Sequence, residues 1–462
     1  MNTQIFREYD IRGVAETDLA DEVVFGIGRA FASVVRESAG TSHDRLRVVV
    51  GRDARVSSPR LTDTLVQGIR AAGVDVARCG LIPTPCLYHA IRDLDAAGGV
   101  MVTGSHNPAN MNGFKLCLGT ASIYGDAIQA LRRRIETHEF TEGQGAVSTV
   151  DAETPYLRAL TDRIQLRRPL RVVLDAGNGA GGPLAERFFR ALGVDLIPLY
   201  CEPDGTFPNH PADPTVLANL QDLIDKVRET GADVGIGLDG DADRVGVVDD
   251  RGRVVYGDRL LALYAREVLA KCEGGTPVIF EVKCSQALIE DLERHGGTPV
   301  MWKTGHSLIK SKMKETGSLL AGEMSGHMFF ADEYFGYDDG IYAGGRTLRM
   351  IALEDGPFSA KVDTVPEYPT TPEIRVPCAD DRKFDVVKEV LTHFRERNEV
   401  NDIDGARIAF DGGWGLVRAS NTQPVLVLRF EGRTPSVLKT IAEEVLDFLR
   451  NLPGADVSEV RV

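Results

Sequence analysis

No stretch of this chain is both long and apolar enough to span a bilayer, and its first ten residues carry no apolar core of the kind that directs export. Those absences argue against a membrane-spanning helix and set the expectation of a cytoplasmic protein. Paired cysteines are missing as well. The seven cysteines (79, 86, 117, 201, 272, 284, 378) form no Cys-x-x-Cys motif, which disfavours zinc and suits free thiols in a reducing compartment. Positive charge is in deficit: 53 Lys+Arg against 68 Asp+Glu leave a net charge of -15. A nucleic acid or an anionic membrane is therefore not the expected partner, although a local cationic pocket can still take anionic small ligands. Nothing in the composition, 43% hydrophobic and 26% charged, suggests global disorder. At 462 residues the chain exceeds what one hydrophobic core can serve, and three or four domains are expected.

What is present is a repeat. Leu46-Arg47-Val48-Val49-Val50 ends in Gly51-Arg52-Asp53, a helical pattern carries Leu61, Leu65 and Ile69, and Ala72-Gly73-Val74-Asp75-Val76 restarts a strand. The same grammar recurs from Leu170-Arg171-Val172-Val173-Leu174 through Phe188 and Leu192 to Gly193-Val194-Asp195. It returns from Pro277-Val278-Ile279-Phe280 through Leu288 and Leu292 to Gly296-Gly297-Thr298-Pro299-Val300. Strand, polar turn, amphipathic helix, glycine cap and strand predict βαβ crossovers in parallel or mixed sheets. Three widely separated copies predict three related α/β domains. Pro366, Pro369, Pro372 and Pro377 then mark a linker. Beyond it, helices over 384–398 and 436–449 and strands over 406–410, 414–418 and 425–430 predict a smaller α+β domain.

Two segments carry the chemistry. Thr103-Gly104-Ser105-His106-Asn107-Pro108 places a serine hydroxyl in a polar turn after the apolar Gly98-Gly99-Val100-Met101-Val102. A serine needs a base, a cation or a preorganised site to act as a nucleophile, and His106, Asn107 and Lys115 stand nearby in sequence. The glycines of a hydrolase elbow are absent. Asp239-Gly240-Asp241-Ala242-Asp243-Arg244 crowds three carboxylates after another apolar run, which calls for a hard cation such as magnesium. An EF-hand does not fit, because Arg244 occupies its glycine position and a strand precedes the loop. A nucleophilic oxygen plus a hard-cation site is the equipment of phosphoryl transfer. Three further loops are candidates. Arg418-Ala419-Ser420-Asn421-Thr422-Gln423-Pro424 has the donors to wrap a phosphate. In Gly322-Glu323-Met324-Ser325-Gly326-His327, an extended strand would point Glu323, Ser325 and His327 the same way, toward sugar hydroxyls. His306, after Lys303-Thr304-Gly305, could act as acid or base.

These loops, in this order and together with Phe6-Arg7-Glu8-Tyr9-Asp10-Ile11-Arg12-Gly13, resemble the α-D-phosphohexomutase superfamily over essentially the whole chain, in its bacterial phosphomannomutase/phosphoglucomutase branch. The resemblance implies four domains around a central cleft: a phosphoserine domain over 1–150, a metal-binding domain over 151–254, a sugar-binding domain over 255–366 and a phosphate-binding domain over 367–462. It implies interconversion of hexose 6-phosphate and hexose 1-phosphate through a hexose 1,6-bisphosphate, which also serves as activator. Ser105 would carry the phosphoryl group, and Asp239, Asp241 and Asp243 would hold Mg2+ with Ser105 as a further ligand. Glu323 and Ser325 would bind sugar hydroxyls, and Arg418, Ser420, Asn421 and Thr422 the non-reacting phosphate. Tyr9, Arg12, Arg244, Lys283, His306 and His327 match cleft-lining positions, with Lys115 or His306 as general acid/base. A phosphoglucosamine mutase is the alternative; that branch has Gln at the position of Met324. A serine hydrolase and a catalytically silent sugar-phosphate binder fit less well. The expected partners are small sugar phosphates; monomer and dimer are both open.

Overall fold

A computed structural model describes residues 1–39, 46–421, 423–458 and 460–461. Its first three sheets share one plan. The strand that opens each repeat (Arg47–Arg52, Arg171–Asp175, Thr276–Glu281) pairs in parallel with the strand after its helix (Asp75–Leu81, Asp195–Leu199, Gly297–Trp302). On its other side it pairs in parallel with a third strand (Gly98–Val102, Val234–Leu238, Leu320–Gly322). A fourth strand (Met111–Leu118, Val245–Asp249, Met328–Phe330) returns antiparallel to the third. The sheets are therefore mixed, as the repeat predicted. The helices Ser58–Ala71, Gly182–Ala191 and Gln286–Arg294 stop where expected, and Gly73, Gly193 and Gly296 take φ of 83°, 80° and 79°, a conformation that glycine adopts without a Cβ clash.

This shared plan positions the site. In all three domains the chemistry-bearing loop joins the third strand to the antiparallel fourth. Ser105, the three aspartates and Glu323–His327 thus occupy equivalent places in three sheets.

The fourth domain is an antiparallel sheet of Ile374–Pro377, Val425–Gly432, Gly413–Ala419, Ala406–Phe410 and Val400–Asn401. Helices Lys383–Phe394 and Pro435–Arg450 bury Val386, Val390, Ile441 and Leu446 against one face. The other face sets Trp414 and Leu416 against Val282 of the third domain. The two edge strands Ile374–Pro377 and Val400–Asn401 were not anticipated, because runs of four and two residues are too short to display an alternating pattern. Among the described residues no helix is long and apolar enough to cross a membrane. All seven cysteines are free; Cys79 and Cys272 are only half-buried.

Candidate active site

Ser105 is 1% exposed and has φ 49°, the left-handed region that serine seldom occupies. Its Oγ donates to Asp239 Oδ2 at 2.9 Å and lies 3.2 Å from His106 Nδ1. Burial, then Arg244 and Arg12, hold the His106 pKa well below the ordinary range, so that ring is neutral. The turn is pinned from behind by Arg55, which has no exposed side-chain surface. Arg55 Nη2 donates to the carbonyls of Ser105 (2.8 Å) and Asn107 (2.5 Å), and Nη1 to those of Pro108 (2.5 Å) and Met111 (2.9 Å). Asp53 in turn accepts from Arg55 Nε at 3.1 Å and from the Gly104 amide at 3.1 Å. Asp175 and Glu281 stand at the corresponding strand ends, and each of the three carboxylates accepts from the amide two residues on.

Asp239, Asp241 and Asp243 are fully buried, and their ligand oxygens lie within 4.8 Å of one another. The loop sits directly on the serine turn: a Cβ at Gly240 would meet the Ser105 carbonyl oxygen at 2.4 Å. Lys115 Nζ donates to Asp241 Oδ2 at 2.6 Å and to Asp243 Oδ2. Burial opposes the Lys115 charge, but those two carboxylates outweigh it and raise its pKa, so the ammonium stays protonated. Burial, then the neighbouring carboxylates, push Asp239 and Asp243 up; for Asp241 the effect of burial is overcome by Lys115, aided by Thr84, whose hydroxyl donates at 2.5 Å. Asp241 Oδ1 and Asp243 Oδ1 are buried with no hydrogen-bond partner among the described residues. Orphaned carboxylate oxygens inside a repelling triplet are what a hard divalent cation would satisfy, and the donor set is all oxygen.

Glu323, Ser325 and His327 do not lie on one extended strand. Strand Leu320–Gly322 ends before them, and residues 323–327 form a tight hairpin turn with Gly326 at φ 87°, where a Cβ would strike the Val245 carbonyl oxygen at 2.3 Å. The expected same-face projection was wrong because the antiparallel return begins at Met328. Glu323 is buried all the same; its Oε1 accepts from the Gly305 amide at 2.6 Å, and burial raises its pKa. Ser325 is half-buried in the turn. His327 Nε2 accepts from Arg244 Nε at 2.9 Å, which puts the ring proton on Nδ1, 3.2 Å from Asp338 Oδ2. His306 stacks on His327 with centroids 5.5 Å apart, and its Nδ1 is 3.4 Å from the same Asp338 oxygen. Burial, then Lys310, keep His306 well below the ordinary histidine range. Lys310 donates to Asp338 Oδ1 at 2.8 Å.

The fourth-domain loop closes over this centre. Arg418 Nε donates to Asp404 Oδ2 at 2.6 Å, and the Thr304 amide donates to the same oxygen at 3.0 Å. Asn421 Nδ2 donates to Tyr9 OH at 2.7 Å, while Tyr9 OH donates to the Thr304 carbonyl at 2.6 Å. Lys283 Nζ reaches Glu373 Oε2 at 3.1 Å. Arg12 Nε is held by Asp10 at 2.7 Å. Buried Lys383 ties down the loop by donating to the carbonyls of Ser420 (2.5 Å) and Gln423 (3.0 Å). Thr422 lies outside the described residues. Sequence reasoning passed over Asp53, Arg55, Asp338, Lys310, Lys383 and Asp404. The acidic residue closing the first strand of every repeat was a signal for Asp53; the others show only through contacts distant in sequence.

Four domain families match the chain in order. They are described as phosphoglucomutase/phosphomannomutase alpha/beta/alpha domain I over 3–142, domain II over 154–252, domain III over 256–368 and the C-terminal domain over 373–448. The chain is 48% identical over 438 residues to a phosphomannomutase/phosphoglucomutase of Pseudomonas syringae pv. tomato, which covers 95% of this chain and 93% of that one. It is 41% identical over 455 residues to a phosphoglucomutase of Neisseria meningitidis serogroup A, covering 97% of each. The crystal structure of a phosphoglucomutase/phosphomannomutase family protein from Burkholderia thailandensis matches with a TM-score of 0.92 at 43% identity, over 99% of both chains. With the serine turn, the acidic triplet and three equivalent sheets in place, the chain belongs to the phosphoglucomutase/phosphomannomutase family, within the α-D-phosphohexomutase superfamily.

Proposed function

We propose that this protein is a phosphohexomutase that reversibly interconverts the 6-phosphate and 1-phosphate of mannose, glucose or both. The observation that carries this reading is the 2.9 Å contact between Ser105 Oγ and Asp239 Oδ2, made by loops 134 positions apart in the chain. Asp239, Asp241 and Asp243 would hold Mg2+ together with the serine oxygen. That ion, when bound, supplies positive charge to the phosphoryl oxygens in transit.

The chain's own residues do the rest. Phosphorylated Ser105 passes its phosphoryl group to a sugar hydroxyl, giving a hexose 1,6-bisphosphate; after that intermediate turns over, its other phosphate returns to the Ser105 hydroxyl. Lys115, beside the transferring group, or His306, stacked on His327 and close to Asp338, serves as the general acid/base. Glu323 and Ser325 take sugar hydroxyls, and Arg12, Arg244 and Lys283 line the cleft. Arg418, Ser420, Asn421 and Thr422 grip the phosphate that is not reacting, with Tyr9 meeting them from the first domain. The units 1–150, 151–254, 255–366 and 367–462 would then serve as phosphoserine, metal, sugar and phosphate domains. A reducing compartment such as the cytoplasm would keep the thiols free.

Intact mass spectrometry before and after incubation with glucose 1,6-bisphosphate tests the chemistry. One added phosphate on Ser105 is expected; a chain that turns over substrate without ever carrying it would overturn the mechanism. Comparing mannose 1-phosphate, glucose 1-phosphate and glucosamine 1-phosphate as substrates then sets the sugar preference.

A further inference from the structure

A cavity of about 400 Å³ lies at the seam of the third and fourth domains and shares no lining residue with the site above. Gln286 and Met301 come from the third domain, Tyr368 from the connecting segment, and Arg407, Trp414 and Glu431 from the fourth-domain sheet. Its size falls within the range of small-molecule sites.

Two opposite charges are buried in its wall without meeting. Arg407 is 6% exposed and Glu431 2%. Arg407 Nη1 donates to the Val282 and Cys284 carbonyls, and its guanidinium lies 3.8 Å above the Trp414 ring. Among the described residues no carboxylate pairs with it, and burial lowers its pKa to about 10. Glu431 Oε1 accepts from the Gln286 amide at 2.9 Å and from Trp414 Nε1 at 2.8 Å. Its Oε2 is buried with no partner among the described residues. An unpaired buried guanidinium and an orphaned carboxylate oxygen are both costly, and each is held in place by contacts that stop it from turning to the other.

Arg433, which is paired with Glu290, and Glu399 also line the cavity, so both signs of charge stand in its wall. An anion would meet Glu431 and Glu399, and a cation would meet Arg407 and Arg433. A hydroxyl group both donates and accepts, so it can satisfy Arg407 and Glu431 together. We propose that this cavity binds a neutral polyhydroxylated molecule, of the polyol or unphosphorylated sugar class, whose hydroxyls bridge Arg407 and Glu431. Such a ligand ties the fourth-domain sheet to the start of helix Gln286–Arg294 in the third.

The test uses the full chain. Trp302 and Trp414 are its two tryptophans, so Trp302→Phe leaves Trp414 as the sole indole reporter. Titration with mannitol and with glucose is expected to give a saturable change in emission at about 1–10 mM. Glu431→Gln keeps the acceptor for Gln286 and Trp414, and should weaken that response at least about tenfold. Ala409→Phe, which fills the cavity from another wall residue, should remove it. Ser105→Ala and saturating glucose 1,6-bisphosphate should leave it unchanged, whatever becomes of the mutase reading. No saturable response up to about 100 mM, a response that survives Glu431→Gln, or one displaced by the bisphosphate would each overturn the proposal. A response to glycine alone, and to neither polyol nor sugar, would overturn the ligand class.

Discussion

Ser105 is a serine in a glycine-like backbone conformation, which costs about 1–3 kcal/mol unless its surroundings enforce it. Arg55 is the enforcing residue: four carbonyls of the turn converge on one guanidinium, and Asp53 fixes the guanidinium. Lysine at that position cannot offer a planar fork with donors to four directions. Arg55→Lys is therefore expected to lower kcat about ten- to a hundredfold while KM shifts by less than about threefold, since misplacing a nucleophile costs rate more than binding. Steady-state kinetics beside circular dichroism checks this; equal losses in kcat and fold would point to mere destabilisation. Ser105→Ala should cut kcat by more than about a thousandfold yet still bind sugar phosphate, as calorimetry can show. Ser105 and the aspartates were legible in the sequence because a polar turn follows one apolar run and three carboxylates crowd into five residues after another. Arg55 was not, because its partners are backbone carbonyls about fifty positions away.

At the scale of single elements, close approach decides what is tolerated. Gly240 has no room for a methyl group, so Gly240→Ala must push the aspartate loop off the serine turn. A stability loss of about 1–3 kcal/mol by denaturant unfolding is expected, with a larger fractional loss of activity. Helix Gly340–Ala352 supplies a pH prediction. Its N-cap, Asp339, accepts from the Tyr342 amide and from the hydroxyls of Tyr156 and Tyr334, and burial raises its pKa to about 6. The protonated form is thus favoured in the fold. That contribution is fully present below the ordinary value of 3.8 and is lost as pH rises through about 6. Asp339→Asn, which keeps a capping oxygen, should flatten this part of the stability profile by about 2–3 kcal/mol in urea midpoints taken from pH 4 to pH 7. A parent-like slope in the variant would remove Asp339 as its source. The hairpin turn of 323–327 shows the limit of reading elements from sequence. Glu-x-Ser-x-His fits strand alternation as well as it fits a turn, and only the antiparallel pairing of Gly322 with Met328 separates them.

Across the whole molecule, one tyrosine hydroxyl joins three domains. Tyr9 OH connects the first domain to Thr304 in the third and Asn421 in the fourth. Tyr9→Phe removes both bonds and preserves the ring, so kcat/KM should fall about fivefold or more with little change in melting temperature. Small-angle scattering should show a larger radius of gyration for the variant; an unchanged radius with unchanged kinetics would deny Tyr9 a closing role. The acidic triplet gives a second whole-molecule prediction. Magnesium added after EDTA should raise the melting temperature as well as restore activity, and Asp241→Asn should abolish the thermal shift, because binding to the folded state alone stabilises it.

Sequence by itself determined the repeated strand–helix–strand grammar, the smaller α+β domain at the C-terminal end and the residue types that mark a phosphoryl-transfer site. Those are local properties: periodicity, glycine stops and crowded carboxylates are written within a few neighbouring positions. Tertiary structure alone decided which loops meet, that Lys115 belongs to Asp241 and Asp243, and that Asp338 lies beside two histidines. The physical reason is that three sheets of one topology bring their equivalent third-to-fourth-strand loops to a common centre. Charges brought together there acquire partners and desolvation that no stretch of sequence contains.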